Sequence, residues 1–441
     1  MHNKLRVITL AAAAIGALGA TVSQAGPKLT FDDGKSSIEI TQAWQFWAVG
    51  TYNPQNIPEP DQRLDLLIRR ARFGFKGLIR PRLDYQVQFA FDNLGKDPYS
   101  GTIGTPQKLE NTEFRIWEIF GMYHLDSTWA NIAFGLFVPR VSRELMGPWS
   151  GVPSLDYMLS YYYVRNHLDT RPTAREVGVN IGGLYADSSR WWGVAYNVGV
   201  FDAVQEKSSD LAGSGQWWPM VTARVAVSLG QPESRAYKLS PDVNHFGKRM
   251  GVSFGGYATY QDQVDERYDR KDTLYIKNGT SLVSMSKGYK GGFKNNQTFG
   301  ADMLLNLKGF ELDAEYSWLR REFSAGFADS LPGVVLSRSY ADHVWHVRGG
   351  YSIPIKSQFL EPTVSYALFN ASDYSLEYQA GEDYILDAGL NWYINKNSLK
   401  ISLHWLRQGG EAKSLYESKP ATATAKKVRD DAIAAALQFT Y

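Results

Sequence analysis

Several stretches of the chain alternate apolar and polar residues with a period of two. In Leu83-Asp84-Tyr85-Gln86-Val87-Gln88-Phe89-Ala90-Phe91-Asp92, one face carries Leu, Tyr, Val, Phe and Phe and the other Asp, Gln, Gln, Ala and Asp. That is a strand apolar on one side only. Met220 to Leu229 sets Val221, Ala223, Val225, Val227 and Leu229 against Thr222, Arg224 and Ser228, and Leu399 to Trp405 sets Ile401, Leu403 and Trp405 against Lys400, Ser402 and His404. Read throughout, the alternation predicts about 16 strands of ~9 to 14 residues, the length that crosses a bilayer at a tilt. They begin near Ile38, Leu64, Arg82, Thr112, Ala130, Ala174, Arg190, Trp217, Lys248, Asn296, Phe310, Ala341, Gln358, Asp383, Ser398 and Arg429.

The connections between these segments alternate in length. Short ones fall at Leu78 to Pro81, Leu125 to Trp129, Ala186 to Ser189, Gly309, Pro354 to Ser357 and Asn395 to Asn397. Between them lie long polar stretches at Tyr52 to Arg63, Asn93 to Asn111, Val138 to Thr173, Asp202 to Gln216, Asp262 to Asn295, Phe323 to Tyr340, Asn370 to Glu382 and Gln408 to Val428. Tight turns on one rim and long loops on the other are the pattern of a transmembrane antiparallel β-barrel, with the turns facing the periplasm and the loops outside. In lipid every backbone donor and acceptor must be paired, which a closed ring of strands achieves. The exception is Gly230 to Gly247, which belongs on the turn side yet includes Pro232 and Pro241. A missed strand or a folded turn would account for it. The last strand, Asp431 to Tyr441, puts Ile433, Ala435, Leu437, Phe439 and Tyr441 on one face.

Residues 1–25 read differently. Lys4 and Arg6 precede an apolar run from Val7 to Ala20 and then Ser23-Gln24-Ala25. That order predicts a signal peptide cleaved after Ala25, leaving a barrel over 26–441. The apolar run is shorter than the ~20 residues of a spanning helix. The chain has no cysteine, which excludes disulfides, thiolate metal sites and a cysteine nucleophile. Aromatic residues make up 14% of it while mean hydropathy is −0.32, as expected when apolar outer faces cancel polar inner ones. The leader's Lys4 and Arg6 account for the formal charge of +2; without them no net field favours nucleic acid.

Local motifs then add a resemblance. Arg69-Arg70-Ala71-Arg72-Phe73-Gly74-Phe75-Lys76-Gly77, Phe134-Gly135-Leu136-Phe137-Val138-Pro139, Arg175-Glu176-Val177-Gly178, Gly300-Ala301-Asp302, Glu361-Pro362 and Leu390-Asn391-Trp392-Tyr393 follow one another along the chain. In this order they resemble the phosphate-selective porin family, porins O and P. The resemblance implies a sixteen-stranded barrel in the bacterial outer membrane, commonly a homotrimer, with the third long loop, 138–173, folded inward as a constriction. The expected function is a water-filled channel for passive diffusion of small hydrophilic solutes, with anions such as phosphate among them.

The candidate channel-lining residues are Arg70, Arg72 and Lys76 on the second strand, Arg140, Arg143, Arg165 and Arg171 in the third loop, and Arg224 and Arg348 on later polar faces. A charged side chain at the midplane of the lipid face costs about 2 to 4 kcal/mol, so cations on strands belong inside. Asp84, Asp92, Asp302, Glu311, Asp313, Glu315, Asp342, Glu361 and Asp387 share those faces, so the lumen reads as mixed. Trp149 and Tyr161-Tyr162-Tyr163 in the third loop suit either stacking on solutes or packing against the wall. An enzyme is not expected, since His343 and His346 are three apart on a strand and point to opposite faces; no cofactor or metal set is read. The alternative is a non-conducting barrel serving as adhesin, receptor or anchor, whose charged fifth loop, Asp262 to Asn295, would meet lipopolysaccharide.

Overall fold

The computed structural model describes residues 26–52, 62–95, 114–168, 173–187, 191–203, 219–262, 274–278, 281–285, 293–323, 339–372, 381–410 and 428–441. The proposed leader, residues 1–25, lies outside them.

Sixteen strands form a closed antiparallel ring. In chain order they are β1 (Ser36–Tyr52), β2 (Gln62–Ile79), β3 (Leu83–Leu94), β4 (Arg115–Asp126), β5 (Ala130–Phe137), β6 (Glu176–Asp187), β7 (Trp192–Phe201), β8 (Met220–Gly230), β9 (Gly251–Asp262), β10 (Phe293–Leu307), β11 (Phe310–Phe323), β12 (Ser339–Tyr351), β13 (Gln358–Ala371), β14 (Gly381–Asn395), β15 (Leu399–Gly410) and β16 (Val428–Thr440). Each pairs with the next, and β1 closes on β16 from Ala43 opposite Thr440 to Tyr52 opposite Asp431. Two short pieces join the same sheet: Lys28–Phe31 folds back on the start of β1, and Ile353–Ile355 carries β12 past Ser352 along β13. Among the described residues no helix is long and apolar enough to cross a membrane.

The starts predicted from alternation fall within three residues of every observed strand. Period two works because one face meets lipid. On β8 Val221, Val225, Val227 and Leu229 are exposed outward while Met220, Thr222 and Arg224 are buried inward. The short turns also fall as expected. At Lys308-Gly309 both residues have positive φ, 48° and 96°, the conformation of a two-residue hairpin turn that glycine adopts without penalty.

The long connection between β8 and β9 is a folded turn. Residues 231–250 contain neither helix nor strand, and they enter the barrel instead of lying beneath it. Two helices stand inside the ring as well, α1 (Arg143–Met146) and α2 (Leu159–Leu168), both in the segment joining β5 to β6.

Candidate functional site

The β5–β6 segment runs inward from Phe137. Ser142 caps α1, its Oγ accepting a hydrogen bond from Leu145 N at 3.0 Å, which satisfies a helix N–H that would otherwise be buried without a partner. A 3₁₀ turn at Trp149–Gly151 and then α2 follow. Nearly every residue from 137 to 168 is buried.

One side of this segment is bonded to the wall strand by strand from β10 to β16. His167 Nε2 lies 3.0 Å from Gln297 O on β10, Glu144 N donates to Glu315 on β11 at 2.9 Å, and Ser160 Oγ lies 2.7 Å from His346 Nδ1 on β12. Tyr163 stacks on Phe369 of β13 with centroids 3.5 Å apart, and its hydroxyl donates to Asp383 on β14 at 2.7 Å. Leu155 N donates to Asp387 at 2.8 Å, Lys400 on β15 donates to Val152 O at 3.0 Å, and Gln438 on β16 donates to Ser150 O at 2.9 Å. Each bond satisfies a polar group that the segment itself has buried. The wall beneath is acidic, and Asp302, Glu311, Asp313, Glu315, Glu361, Asp383 and Asp387 are each at most 5% exposed.

The opposite side of the segment faces β2 and β4, where two β-bulges alter the alternation. Against β1, Gln45 pairs with Arg70 and Phe46 with Ile68, so Arg69 is an extra residue. Against β3, Gln88 pairs with Glu118 and Phe89 with Ile116, so Trp117 is extra. A bulge turns two successive side chains to one face. Arg69 and Arg70 therefore both point inward, and both bond Asp156, at 2.9 and 2.5 Å. Trp117 stands between two guanidiniums, with Arg72 3.9 Å and Arg175 4.2 Å from its ring centroid. Arg72 is paired with Asp92 and Arg175 with Glu118, each at 2.9 Å. Arg70 lies over Trp149 at 5.1 Å, while Arg165 lies over Tyr161 and Tyr162 at 5.8 and 5.5 Å.

Four guanidiniums act on the Tyr161 phenol, while burial pushes its stacked neighbour Tyr157 up. Burial alone would push the Tyr161 phenol up, yet Arg175, Arg165, Arg72 and Arg70 hold it below its usual value. Burial would likewise raise Asp156, and Arg69 and Arg70 keep it below the carboxylate range. The Nε–H groups of Arg70 and Arg72 and the indole N–H of Trp117 are buried with no acceptor among the described residues, so this wall has donors to spare.

The predicted residues separate into groups. Arg70, Arg72 and Arg165 meet at this face. Arg143 and Arg224 are both bonded to Asp302, at 3.0 and 2.9 Å, and Arg348 pairs with Glu144 at 2.9 Å and with Asp313; all three belong to the acidic side. Arg140 donates to Val138 O at 2.7 Å and to Leu239 O, and burial lowers its pKa to about 10. Lys76 has a side chain 48% exposed and paired with Glu39 at 3.1 Å, near the turn end of β2 and away from the Arg70 cluster. Arg171 lies outside the described residues. The alternation did not single out Arg69 and Trp117, because a bulge shifts the phase of a periodic pattern without marking which residue is the extra one; Arg175 and Asp156 were visible as charges but not as partners.

The histidines divide as their spacing requires. His343 faces outward against the Tyr316 hydroxyl at 2.6 Å, whereas His346 is buried inside. Ligand atoms of Glu144, Asp313 and His346 lie within 4.8 Å of one another, but the Arg348 guanidinium already bonds both carboxylates and supplies the charge a cation would bring.

Comparison with known proteins places this geometry. Among solved structures, the chain is similar to Salmonella typhi OmpF (TM-score 0.53, 11% identity, 94% of this chain and 100% of that one). It is also similar to an anion-selective porin from Comamonas acidovorans (TM-score 0.51, 9% identity, 92% and 100%) and to OmpT of Vibrio cholerae in a trimer form (TM-score 0.50, 11% identity, 92% and 99%). At these identities the likeness establishes the fold. No curated protein matches. The family model of the phosphate-selective porins O and P matches residues 47–441, and with the closed sixteen-stranded ring already in view, this chain belongs to that family of outer-membrane porins.

Proposed function

We propose that this porin passes small anions, phosphate among them, between the Trp149–Tyr161 face of the β5–β6 segment and the arginine wall of β2, β4 and the start of β6. The observation that carries the reading is the gathering of guanidiniums on one side of the segment. Across from the carboxylates of β10 to β14 that the segment covers, the guanidiniums of Arg70, Arg72 and Arg175 gather around Trp117 and Trp149, and the Nε–H groups of Arg70 and Arg72 have no acceptor among the described residues. A narrow path lined by fixed cations and donors lowers the entry barrier for an anion and raises it for a cation.

In this reading the 138–173 loop is the constriction, and Arg70, Arg72 and Arg165 line it together with Arg69 and Arg175. Transport is passive and the barrel is no enzyme. The likeness to the trimer form of Vibrio cholerae OmpT supports a homotrimer; lipid surrounds the ring, and lipopolysaccharide meets the outer loops. Residues 1–25 serve as an export leader.

Reversal potential across a planar bilayer in asymmetric potassium chloride tests the assignment. Arg72→Gln with Arg175→Gln removes two charges, each worth about 1 kcal/mol at ~4 Å in a water-like medium. The anion-to-cation permeability ratio is expected to fall at least ~5-fold; an unchanged ratio would sink the proposed path.

A second reading is favoured by the burial of the β5–β6 segment on nearly all sides. A barrel so filled would serve as a receptor or anchor through its loops, and folded protein that never passes current would decide for it.

A further inference from the structure

The connection between β8 and β9 starts at Gln231 and ends at Met250, on the rim of short turns, and it crosses the interior. Tyr237 is fixed to the wall of β6 and β7, where its hydroxyl donates to Asn197 Oδ1 at 2.6 Å and accepts from Asn180 Nδ2 at 3.1 Å. Seven residues on, Asn244 is fixed to the far wall, donating to Glu361 on β13 at 3.2 Å and to Tyr393 on β14 at 3.3 Å. Phe246 packs there on Phe359 and Tyr393, with centroids 5.1 and 5.0 Å away. Seven residues reach at most about 25 Å, enough to bridge the two anchors. Between the anchors the inner face, Leu239 and Val243, is buried, while Lys238, Ser240 and Asp242 are exposed.

This strap is bonded to the β5–β6 segment from below. Glu233 receives a bidentate pair of bonds from Arg143 at 2.7 and 2.8 Å, and Leu239 O accepts from Arg140. Val243 seats against Gly147 and Gly151, where an added Cβ would lie 3.2 and 3.5 Å from its side chain. Glycines at both places let the segment's backbone approach the Val243 side chain. A cavity of about 90 Å³ remains between strap, α1 and the β6–β8 wall, lined by Arg143, Arg224, Glu233, Tyr237 and Lys238 among others.

We propose that the strap is a periplasmic latch that holds the β5–β6 segment against the acidic half of the wall and narrows the exit of the pore. Releasing it widens the exit and lets the segment lift, which uncovers the carboxylates of β10 to β14. The sign of the selectivity change rests on the anion path proposed above; the change in conductance does not.

The test uses the full-length protein in planar bilayers. Glu233→Gln with Asn244→Ala loosens both sides of the latch and is expected to raise single-channel conductance at least twofold and to move the reversal potential toward zero. In the same background Gly151→Cys with Val243→Cys places two β-carbons about 3.5 Å apart in an otherwise cysteine-free chain, within disulfide range. Oxidation is expected to restore the parent conductance and reduction to abolish the restoration. If the loosened variant does not fold, the cysteine pair in the parent background gives the same comparison: the reduced channel is expected to step to larger conductance under raised voltage and the oxidised one not. Conductance indifferent to loosening, or to oxidation, overturns the latch. A conductance that rises while selectivity stays fixed upholds the latch and overturns the anion path.

Discussion

The arginines of this barrel differ in what they bond, and that decides what each can do. Arg143, Arg224 and Arg348 bond Asp302, Asp313 and Glu144 on the acidic side, whereas Arg70 and Arg72 bond Asp156 and Asp92 across from it and, like Arg348, each keep an Nε–H without an acceptor among the described residues. Asp156 is the hinge of the arrangement because one carboxylate serves both Arg69 and Arg70. Breaking such a buried pair costs about 3–5 kcal/mol, since the charges stay behind unpaired. Asp156→Asn is therefore expected to lower the midpoint of denaturant unfolding while raising the anion-to-cation permeability ratio, the first read by fluorescence and the second by reversal potential. The sequence shows every one of these charges and which strand face most of them occupy. It does not show their partners, because Asp156 meets Arg69 across 87 positions and Arg69 faces inward only by virtue of a bulge.

At the scale of elements, strands were legible and the contents of the lumen were not. A wall strand meets lipid on one face, which imposes a period that survives in the residues. The β5–β6 segment meets protein on nearly all sides, the strap does so only at inner residues such as Leu239 and Val243, and neither keeps one period along its length. The strap carries its own titration. Burial and the nearby Arg249 guanidinium push the His245 imidazole down to about 4, with Arg143 adding to this and Glu233 and Asp242 opposing it. Burial would raise the Glu233 carboxyl, but Arg143 holds it at about 2. A histidine with a lowered value favours its neutral form, so its contribution is complete above pH ~6.5 and is lost as pH falls toward 4; that of Glu233 is complete above ~4.5 and is lost toward pH 2. The strap is expected to loosen first between pH 6.5 and 4 by on the order of 2 kcal/mol. Conductance rising over that interval in the parent and flat in His245→Phe is the expected result; equal pH profiles in both would refute it.

For the whole molecule, the ring is held shut at the meeting of its ends. Tyr441 N donates to Gln42 O and Gln42 N donates to Tyr441 O, each at 2.9 Å, while the Tyr441 ring lies 5.3 Å from that of Phe439. Deleting Tyr441 removes both bonds, worth about 1 kcal/mol each. The truncated barrel is expected to lose its folded mobility on detergent gels at a temperature several degrees lower, and equal midpoints would contradict that role. The mixed lumen read from the sequence is real as a list of residues. In space it is partly sorted, with most of the acids and their partners Arg143, Arg224 and Arg348 under the segment and the cluster of Arg69, Arg70, Arg72 and Arg175, with Asp92 and Glu118, across from it, and this arrangement is a property of the closed ring that no single strand contains.

The extra residue in β2 has a consequence for how such a pore can change. On the extracellular side of the bulge the lipid-facing residues are Leu64 and Leu66, and on the other side Phe73 and Phe75. The two sets differ in parity because Arg69 stands between them. A deletion of that one residue would restore an unbroken alternation, leave each outward side chain in the bilayer, and subtract a single positive charge from the interior. Loss or gain of one codon at this place thus tunes permeation without touching the surface that the membrane sees.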